Sequence, residues 1–479
     1  MPNTNDIQSA DAQTVSGPRR QLSLLDSTCI IVGIIIGSGI YELTPLIAGN
    51  VSSPAMLLGV WLFGGFVAFA GALCYAELAT AYPRSGGDYV FLSRAYGSRF
   101  AFLFAWAEFW IVRPGNIGMI SYVFGRYAQQ IWPLEEIVSE EVAITGFACT
   151  AIILLSAMNL WGVRAGTRTQ NTLTVLKVLG LLGICVLGLL SVGLGSDENV
   201  ASASVSSPQA NFPMALLFVL FCFGGWNEMS YVAAEVRKPE ANIVRALLLG
   251  TCSTLLVYLV VNLAFLKSVG LSGMTTSAAL ATDVVRPRLG EYAARAISLL
   301  ICLTCLGAIN GMLFTGSRIY YAVGTEHTWF SWLGRWHDRF GGPVRALLLQ
   351  SFGTLALVIT ASATSPGEGF ATLFLFSAPV YWGFAIFVAL SLFILRIRDP
   401  DAPHVHRVWL FPIPPLIFLG SACYLAYSGL TYALAHKDLR LSLWAVVILV
   451  VGAVLAFSKL VSPPADTDSA QFPSSDLPD

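Results

Sequence analysis

Residues 33–40 read GIIIGSGI and lie in the middle of an apolar run that extends from residue 24 to residue 50. A second apolar run, 212–235, is interrupted in the same way by FGGWN at residues 223–227. Glycine permits backbone conformations that end a helix, and an apolar helix of about 20 residues crosses a membrane. Glycine alone also fits close helix packing. We predict two membrane helices that break near their middles.

The whole chain has the composition of an integral membrane protein. Of its 479 residues, 56% are apolar and 11% are charged, whereas soluble proteins carry roughly 25% charged residues. This composition excludes a soluble enzyme, a nucleic-acid-binding protein and a disordered scaffold. An all-α membrane fold is expected, because long continuous apolar runs lack the alternation of a membrane β-barrel. Twelve transmembrane helices are predicted, at residues 24–50, 55–82, 99–132, 142–161, 169–194, 212–235, 243–267, 293–323, 344–361, 370–396, 409–431 and 442–460.

The basic residues predict the orientation of these spans. With both termini in the cytoplasm, eighteen of the 27 lysines and arginines lie on the cytoplasmic side, six lie outside and three lie within spans. Basic loops are retained in the cytoplasm. A multi-pass protein of the cell membrane (plasma or bacterial inner membrane) is therefore expected. Polar tails at 1–21 and 462–479 are predicted to be disordered around a transmembrane domain at 22–461.

The positions of the two breaks indicate an inverted repeat. The broken spans come first in two successive five-span blocks, which cover about 22–195 and 211–397, and two further helices follow at about 409–460. Five is an odd number, so the second block crosses the membrane in the opposite direction. Interrupted helices at matching positions of such repeats indicate the binding site of a transporter.

The chemistry of a broken helix indicates the ligand. One half presents free N–H groups, which attract a carboxylate, and the other presents free C=O groups, which attract a cation. A ligand with both groups on adjacent atoms is an α-amino acid. No enzyme is expected, because the spans hold no nucleophile–base set and no metal-ligating cluster. The ATP-binding pattern G-x-x-x-x-G-K-[ST] does not occur, and no cofactor or metal is expected.

Further motifs extend this interpretation to a resemblance. The sequence resembles the amino acid–polyamine–organocation superfamily, and within it the L-type amino acid transporters and their bacterial relatives. The resemblance covers about residues 22–410. It implies a LeuT-like 5+5 inverted repeat, alternating access and sodium-independent transport, often as exchange. The matching stretches are 33–40, 74–91 (CYAELATAYPRSGGDYVF), Arg113-Pro114, 224–227 (GGWN) with Glu235-Val236 and Pro239, and 310–318 (NGMLFTGSR).

The resemblance also implies roles for individual residues. Ser38 and Gly39 match the carboxylate-binding break, and the carbonyls of Ile36 and Phe223 match positions that meet the ammonium. Phe221 matches an aromatic gate that closes over the substrate. The expected substrate-binding residues are Ile36, Gly37, Ser38, Gly39, Ile40, Phe221, Phe223, Gly224, Gly225 and Asn227. From their positions at the cytoplasmic ends of spans 2 and 6, Glu77 is expected to act in gating or as a packing element, and Glu235 to act in gating through ion pairs.

Three basic residues, Arg113, Arg126 and Lys177, lie within predicted spans. Lys177 is about nine residues into span 5, and the resemblance implies that its amine replaces the sodium ion of related carriers. The alternative is a lysine that snorkels to the interface. Arg113 is expected to face the interior. Glu108 lies five residues before it, about 140° away around an α-helix, so the two are not expected to face each other.

Two departures from the L-type pattern affect specificity and partners. Glu228 stands where an aromatic or apolar residue is usual. The loop 133–141 lacks the cysteine that tethers animal members to a heavy subunit, so no disulfide-linked heavy subunit is expected.

The predicted function is sodium-independent transport of neutral L-amino acids, as a permease or an exchanger. One alternative is a proton-coupled carrier of amines or cationic amino acids, in which Glu228 would act. Another is a membrane sensor that binds amino acids without transporting them. The expected partners are the small-molecule substrate and the lipid bilayer, and no nucleic acid.

Overall fold

The computed structural model describes residues 17–134, 137–190, 211–277, 279–365, 367–402, 406–435 and 440–458. Within these ranges the chain is helical, and β structure is limited to two isolated bridges. The predicted C-terminal tail lies outside the described residues, as do residues 1–16 of the N-terminal tail. The helices are α1 (Leu24–Ile35), α2 (Gly39–Glu42), α3 (Thr44–Gly49), α4 (Pro54–Ala81), α5 (Asp88–Tyr96), α6 (Ser98–Ala107), α7 (Arg113–Ile131), α8 (Glu140–Leu160), α9 (Val163–Leu190), α10 (Phe212–Cys222), α11 (Glu228–Tyr231), α12 (Pro239–Thr276), α13 (Leu280–Leu289), α14 (Ala293–Glu326), α15 (Val344–Thr364), α16 (Gly369–Arg398), α17 (Ile413–Ala435) and α18 (Arg440–Ala456).

Nine helical segments in the described ranges are long and apolar enough to cross a membrane. Helices also occupy the three remaining predicted spans, at residues 98–131, 212–222 and 440–456. Large apolar side chains point outwards from several of these helices: Phe66, Leu179 and Leu256 are each more than half exposed. Such a surface suits hydrocarbon rather than water. The chain is a multi-pass membrane protein.

Both predicted helix breaks are present. α1 ends at Ile35 and α2 begins at Gly39, while α10 ends at Cys222 and α11 begins at Glu228. Gly225, inside the second break, has a φ of 111° and lies so close to α1 that a Cβ would be 2.7 Å from Ile34 Cγ2. Glycine is therefore required there both by the left-handed conformation and by the contact with the first break.

The two broken segments lie side by side and antiparallel. The N–H of Asn211, at the start of α10, donates to the carbonyl of Asn50, just after α3, over 3.1 Å. At the opposite end, Leu22, just before α1, forms a bridge with Val236, just after α11. We name these two ends of the bundle the Asn50 end and the Leu24 end. The arrangement places the two breaks at the same level, halfway between the ends.

Candidate functional site

A cavity of about 120 Å³ lies between the two breaks. Of the predicted substrate-binding residues, seven line it: Gly37, Ser38, Gly39, Phe221, Gly224, Gly225 and Asn227. The other three, Ile36, Ile40 and Phe223, are fully buried and do not line the cavity. Across the described ranges, no group of three or more His, Cys, Asp or Glu is placed to hold a metal ion.

Sequence reasoning missed the wall of the cavity opposite the breaks. These residues lie on α7, α14 and α16, which carry no break and no glycine cluster pointing to them. Most of these side chains are apolar, and two of them carry an amide or a hydroxyl group. They are Asn116, Met119, Ile120, Met312, Phe370, Ala378, Tyr381 and Trp382. Glu42 and Leu43 of the first broken segment and Glu228 of α11 also line the cavity.

The first break presents a row of backbone N–H groups. α2 begins at Gly39, and the N–H groups of a helix's first turn have no acceptor within the helix. Gly39 leaves them accessible, because a Cβ there would meet Cys222 Sγ at 3.0 Å and close the gap between the breaks. This half of the break can therefore receive an anionic group.

Lys177 of α9 occupies the other half of the first break. Its side chain is fully buried. Its Nζ donates to the carbonyls of Gly33, Ile36 and Thr304, over 2.7, 3.0 and 3.1 Å. The ammonium thus uses all three of its N–H donors and joins α9, α1 and α14. The snorkelling alternative is wrong, since the side chain does not extend towards an interface.

Tyr258 of α12 contacts both breaks, and nothing in the sequence pointed to it. Its hydroxyl lies 2.9 Å from the carbonyl of Ile35, at the end of α1, and 3.1 Å from the carbonyl of Cys222, at the end of α10. A hydroxyl has one proton to donate. Its ring packs edge-on against Trp61 and Phe223, with ring centroids 5.1 and 5.2 Å apart. Tyr258 therefore holds the two break carbonyls at a fixed separation.

Arg113, Glu108 and Glu228 form a buried charged cluster beside the cavity. Arg113 Nη1 donates to both carboxylate oxygens of Glu228, over 2.7 and 2.9 Å, and the hydroxyl of Thr315 donates to Glu228 as well. Arg113 Nε lies 3.3 Å from Glu108 Oε2. The ring of Tyr231 lies under the guanidinium, 5.3 Å away. Both carboxylate oxygens of Glu228 are thus bound by Arg113 rather than available to a molecule in the cavity.

The expectation that Glu108 and Arg113 would not face each other is wrong. A single π-helical turn, Glu108–Val112, joins α6 to α7, and the N–H of Arg113 donates to the carbonyl of Glu108, five residues earlier. The prediction assumed 3.6 residues per turn, whereas an i to i+5 turn brings residues five apart onto one face. No feature of the sequence indicated this turn.

The predicted gating residues take part in contacts near the cavity or at the Leu24 end. Phe221 packs edge-on against Phe374, with ring centroids 5.0 Å apart. Glu235 pairs with Arg318 of α14 over 2.8 and 3.1 Å, and both side chains are buried. Glu77 accepts from Arg396 Nε over 2.7 Å and from the N–H of Val408 over 2.6 Å.

A more exposed pair lies on the other side of the cavity. Glu42, which lines it, accepts from Arg126 over 3.0 Å and from Tyr127 over 2.9 Å. The Arg126 side chain is 46% exposed and that of Glu42 is 23% exposed. The ion pairs on the two sides of the cavity therefore differ in burial.

The sequence matches the family model described as "Amino acid permease" over residues 22–455. The chain belongs to this family. It is 30% identical to the human large neutral amino acids transporter small subunit 2 over 407 residues, 84% of this chain and 74% of that protein. It is 28% identical to the mouse b(0,+)-type amino acid transporter 1, covering 84% and 81% of the two chains. It is 29% identical to the human cystine/glutamate transporter, covering 83% and 78%.

Family membership confirms the resemblance predicted from the motifs. An amino acid permease is a membrane transport protein and not an enzyme. The relatives' names cover substrates of different charge, so they support amino acid transport without selecting one side-chain class.

Proposed function

We propose that this amino acid permease is a sodium-independent transporter, acting as a permease or an exchanger, that moves neutral L-amino acids by alternating access. The observation that carries the proposal is the position of Lys177. Its ammonium is bonded to three carbonyls, two of them in the last turn of α1 and its cap. An amine that already donates to these carbonyls leaves no set of free carbonyl oxygens there for a sodium ion to bind.

The substrate's backbone groups are assigned to the two breaks. Its carboxylate accepts from the N–H groups at Ser38 and Gly39, and its ammonium lies against the open carbonyl side of the second break, near Phe223. These are the two groups that every α-amino acid shares. Gly224 and Gly225 line the cavity without side chains and so leave room for the substrate.

The side-chain part of the cavity favours a neutral substrate. Met119, Ile120, Met312, Phe370 and Trp382 offer apolar surface. A cationic side chain would need an unpaired carboxylate, but Glu228 already accepts from Arg113 with both oxygens. The alternative of a cationic substrate held by Glu228 has less support for that reason.

The finer points of architecture belong to the same proposal. We infer twelve spans, a LeuT-like 5+5 inverted repeat, both termini in the cytoplasm and no disulfide-linked heavy subunit. The antiparallel arrangement of the two broken segments supports the inverted repeat. Under this orientation the Leu24 end faces the cytoplasm, where Glu235 and Glu77 close the inward path.

Counterflow into proteoliposomes tests the function directly. Vesicles are preloaded with one unlabelled amino acid, and initial entry of labelled amino acids is measured across neutral, cationic and anionic members. The expected result is entry of neutral amino acids that does not change when sodium is replaced by choline at constant ionic strength. Entry that rises steeply with sodium, or that is confined to cationic substrates, would overturn the proposal.

A further inference from the structure

The π-helical turn at Glu108–Val112 creates a charge imbalance in the protein interior. It brings two carboxylates, Glu108 and Glu228, to one guanidinium, Arg113. The three residues are 1%, 7% and 2% exposed, in that order. If all three were ionised, the cluster would carry one negative charge in excess. An uncompensated charge in so dry an environment is strongly unfavourable, and such a group takes up a proton instead.

The groups around the cluster do not correct the imbalance. The titratable residues that face it are Asp88 of α5, Tyr231 of α11, Tyr320 of α14 and Tyr381 of α16. The three tyrosines are neutral. Asp88, at the start of its helix, accepts from the hydroxyl of Tyr231 over 2.8 Å and brings no positive charge. None of these neighbours therefore supplies the cation that a second ionised glutamate would need.

The contacts identify which glutamate holds the proton. Glu228 receives two bonds from Arg113 Nη1 and one from Thr315. Glu108 has only the 3.3 Å approach to Arg113 Nε, and within the part of the chain that the structure describes neither Nε nor Glu108 Oε2 has a hydrogen-bond partner. Hydrogen bonds stabilise the ionised form of a carboxyl group. The proton therefore lies on Glu108.

We propose that the Glu108–Arg113–Glu228 cluster is a proton-binding site that holds one exchangeable proton. The proton is on Glu108 while Glu228 is paired with Arg113. When Glu228 moves away from Arg113, the O–H bond of Glu108 breaks and its carboxylate replaces Glu228 at the guanidinium. The proton passes to the Glu228 carboxylate, which lines the cavity, and exchanges there with water. One guanidinium thus keeps one ionised partner throughout.

The link to transport follows from where Glu228 lies. It is the first residue of α11, directly after the second break, whereas its partners Arg113 and Thr315 lie on the unbroken helices α7 and α14. A movement of the broken segment away from those helices would part Glu228 from Arg113. This step rests on the proposed transport function, but the occupancy of the proton site does not.

Infrared spectroscopy of the purified full-length protein tests the proton directly. The measurement is the carbonyl stretch of a protonated, buried carboxylic acid at neutral pH, without substrate, identified by its shift in heavy water. The variants are Glu108→Gln, Glu228→Gln and, as a control, Glu240→Gln, an exposed acid in the first turn of α12. We expect the band in the wild type and in the control, and its loss in both cluster variants.

The loss in Glu228→Gln separates the proposal from a simpler explanation. That variant leaves one glutamate for one arginine, so Glu108 should ionise and the band should vanish. A glutamate protonated merely because it is buried would keep its band. A wild type without the band, or a band that survives in Glu108→Gln or in Glu228→Gln, would overturn the proposal.

The second arm measures initial amino acid uptake against pH. One linked proton allows a change of up to about tenfold per pH unit. We expect a clear pH dependence in the wild type and a flat profile in Glu108→Gln. Failure of every amino acid to be transported, with the infrared bands as expected, would defeat the proposed function and leave the proton site intact. Uptake in the wild type that does not depend on pH would refute the coupling.

Discussion

Replacing Lys177 by alanine is the most direct test of how the first break is held. The substitution removes the donor to Gly33, Ile36 and Thr304 at once. The side chain is fully buried, so these carbonyls lose their partner without gaining free access to solvent. An unsatisfied buried polar group costs about 1–3 kcal/mol.

The expected magnitude follows from how many carbonyls stay unsatisfied. The space vacated by the lysine side chain can admit water, which would satisfy some of them. If a single carbonyl stays without a partner in the conformation that transport requires, the cost of about 1–3 kcal/mol corresponds to a loss of roughly five-fold to 150-fold. We therefore expect initial uptake by Lys177→Ala to fall about tenfold or more.

The assay is initial uptake in proteoliposomes, normalised to the reconstituted protein. Lys267→Ala is the matched control, because Lys267 is an exposed lysine of α12, away from the breaks. Thermal unfolding of both variants checks that a loss of transport does not reflect a loss of fold. If Lys177→Ala retained most of its uptake, or lost no more than Lys267→Ala, the assigned role of this lysine would be refuted.

The remaining predictions concern the cavity and the Leu24 end. Gly39→Val should abolish substrate binding, because even a Cβ would lie 3.0 Å from the Cys222 sulfur. The control variant Gly49→Val, where a Cβ meets nothing within 4 Å, should bind substrate normally. Equal affinities of the two variants in a binding titration would contradict the site. Tyr258→Phe removes one hydroxyl shared by two break carbonyls. Leaving a buried carbonyl unsatisfied costs about 1–3 kcal/mol, so uptake should fall about tenfold. Unchanged uptake would show that the hydroxyl is dispensable. Glu235→Gln leaves the buried Arg318 charge uncompensated, which costs about 3–5 kcal/mol. The melting temperature of this variant should therefore drop clearly in a thermal unfolding scan. A wild-type melting temperature would argue against this pair as a structural contact.

The breaks could be predicted from the sequence because their cause is local. A cluster of glycines within one apolar run weakens a helix wherever it occurs, whatever surrounds it. The residues of the two clusters, from Ile36 to Ile40 and from Phe223 to Asn227, accordingly lie at or beside the interruptions found in the structure.

The rest of the site depends on contacts between residues far apart in the chain. Tyr258 and Trp382 are ordinary aromatic residues of apolar helices until the fold brings them to the breaks. The π turn at Glu108 places Arg113 beside Glu108, and a helical wheel drawn with 3.6 residues per turn could not reveal this contact. Lys177 was an exception, since a lysine deep in a span stands out by its cost alone.

The difference in burial between the two ends has a consequence for the alternating access that we propose. At the Leu24 end the Glu235–Arg318 pair is withdrawn from water, and the Glu77–Arg396 pair largely so, whereas the Glu42–Arg126 pair near the cavity is partly hydrated. A buried ion pair stabilises little in net terms, because the cost of removing both charges from water nearly cancels their attraction. If the Leu24 end opens as proposed, water returns to those charges and offsets the attraction that is lost. A contact of the same area made by apolar side chains would gain no such hydration on opening. Exposing it to water would cost about 25 cal/mol for each Å². Ion pairs at this end therefore specify the contacts of the closed state, while the free-energy cost of opening stays small.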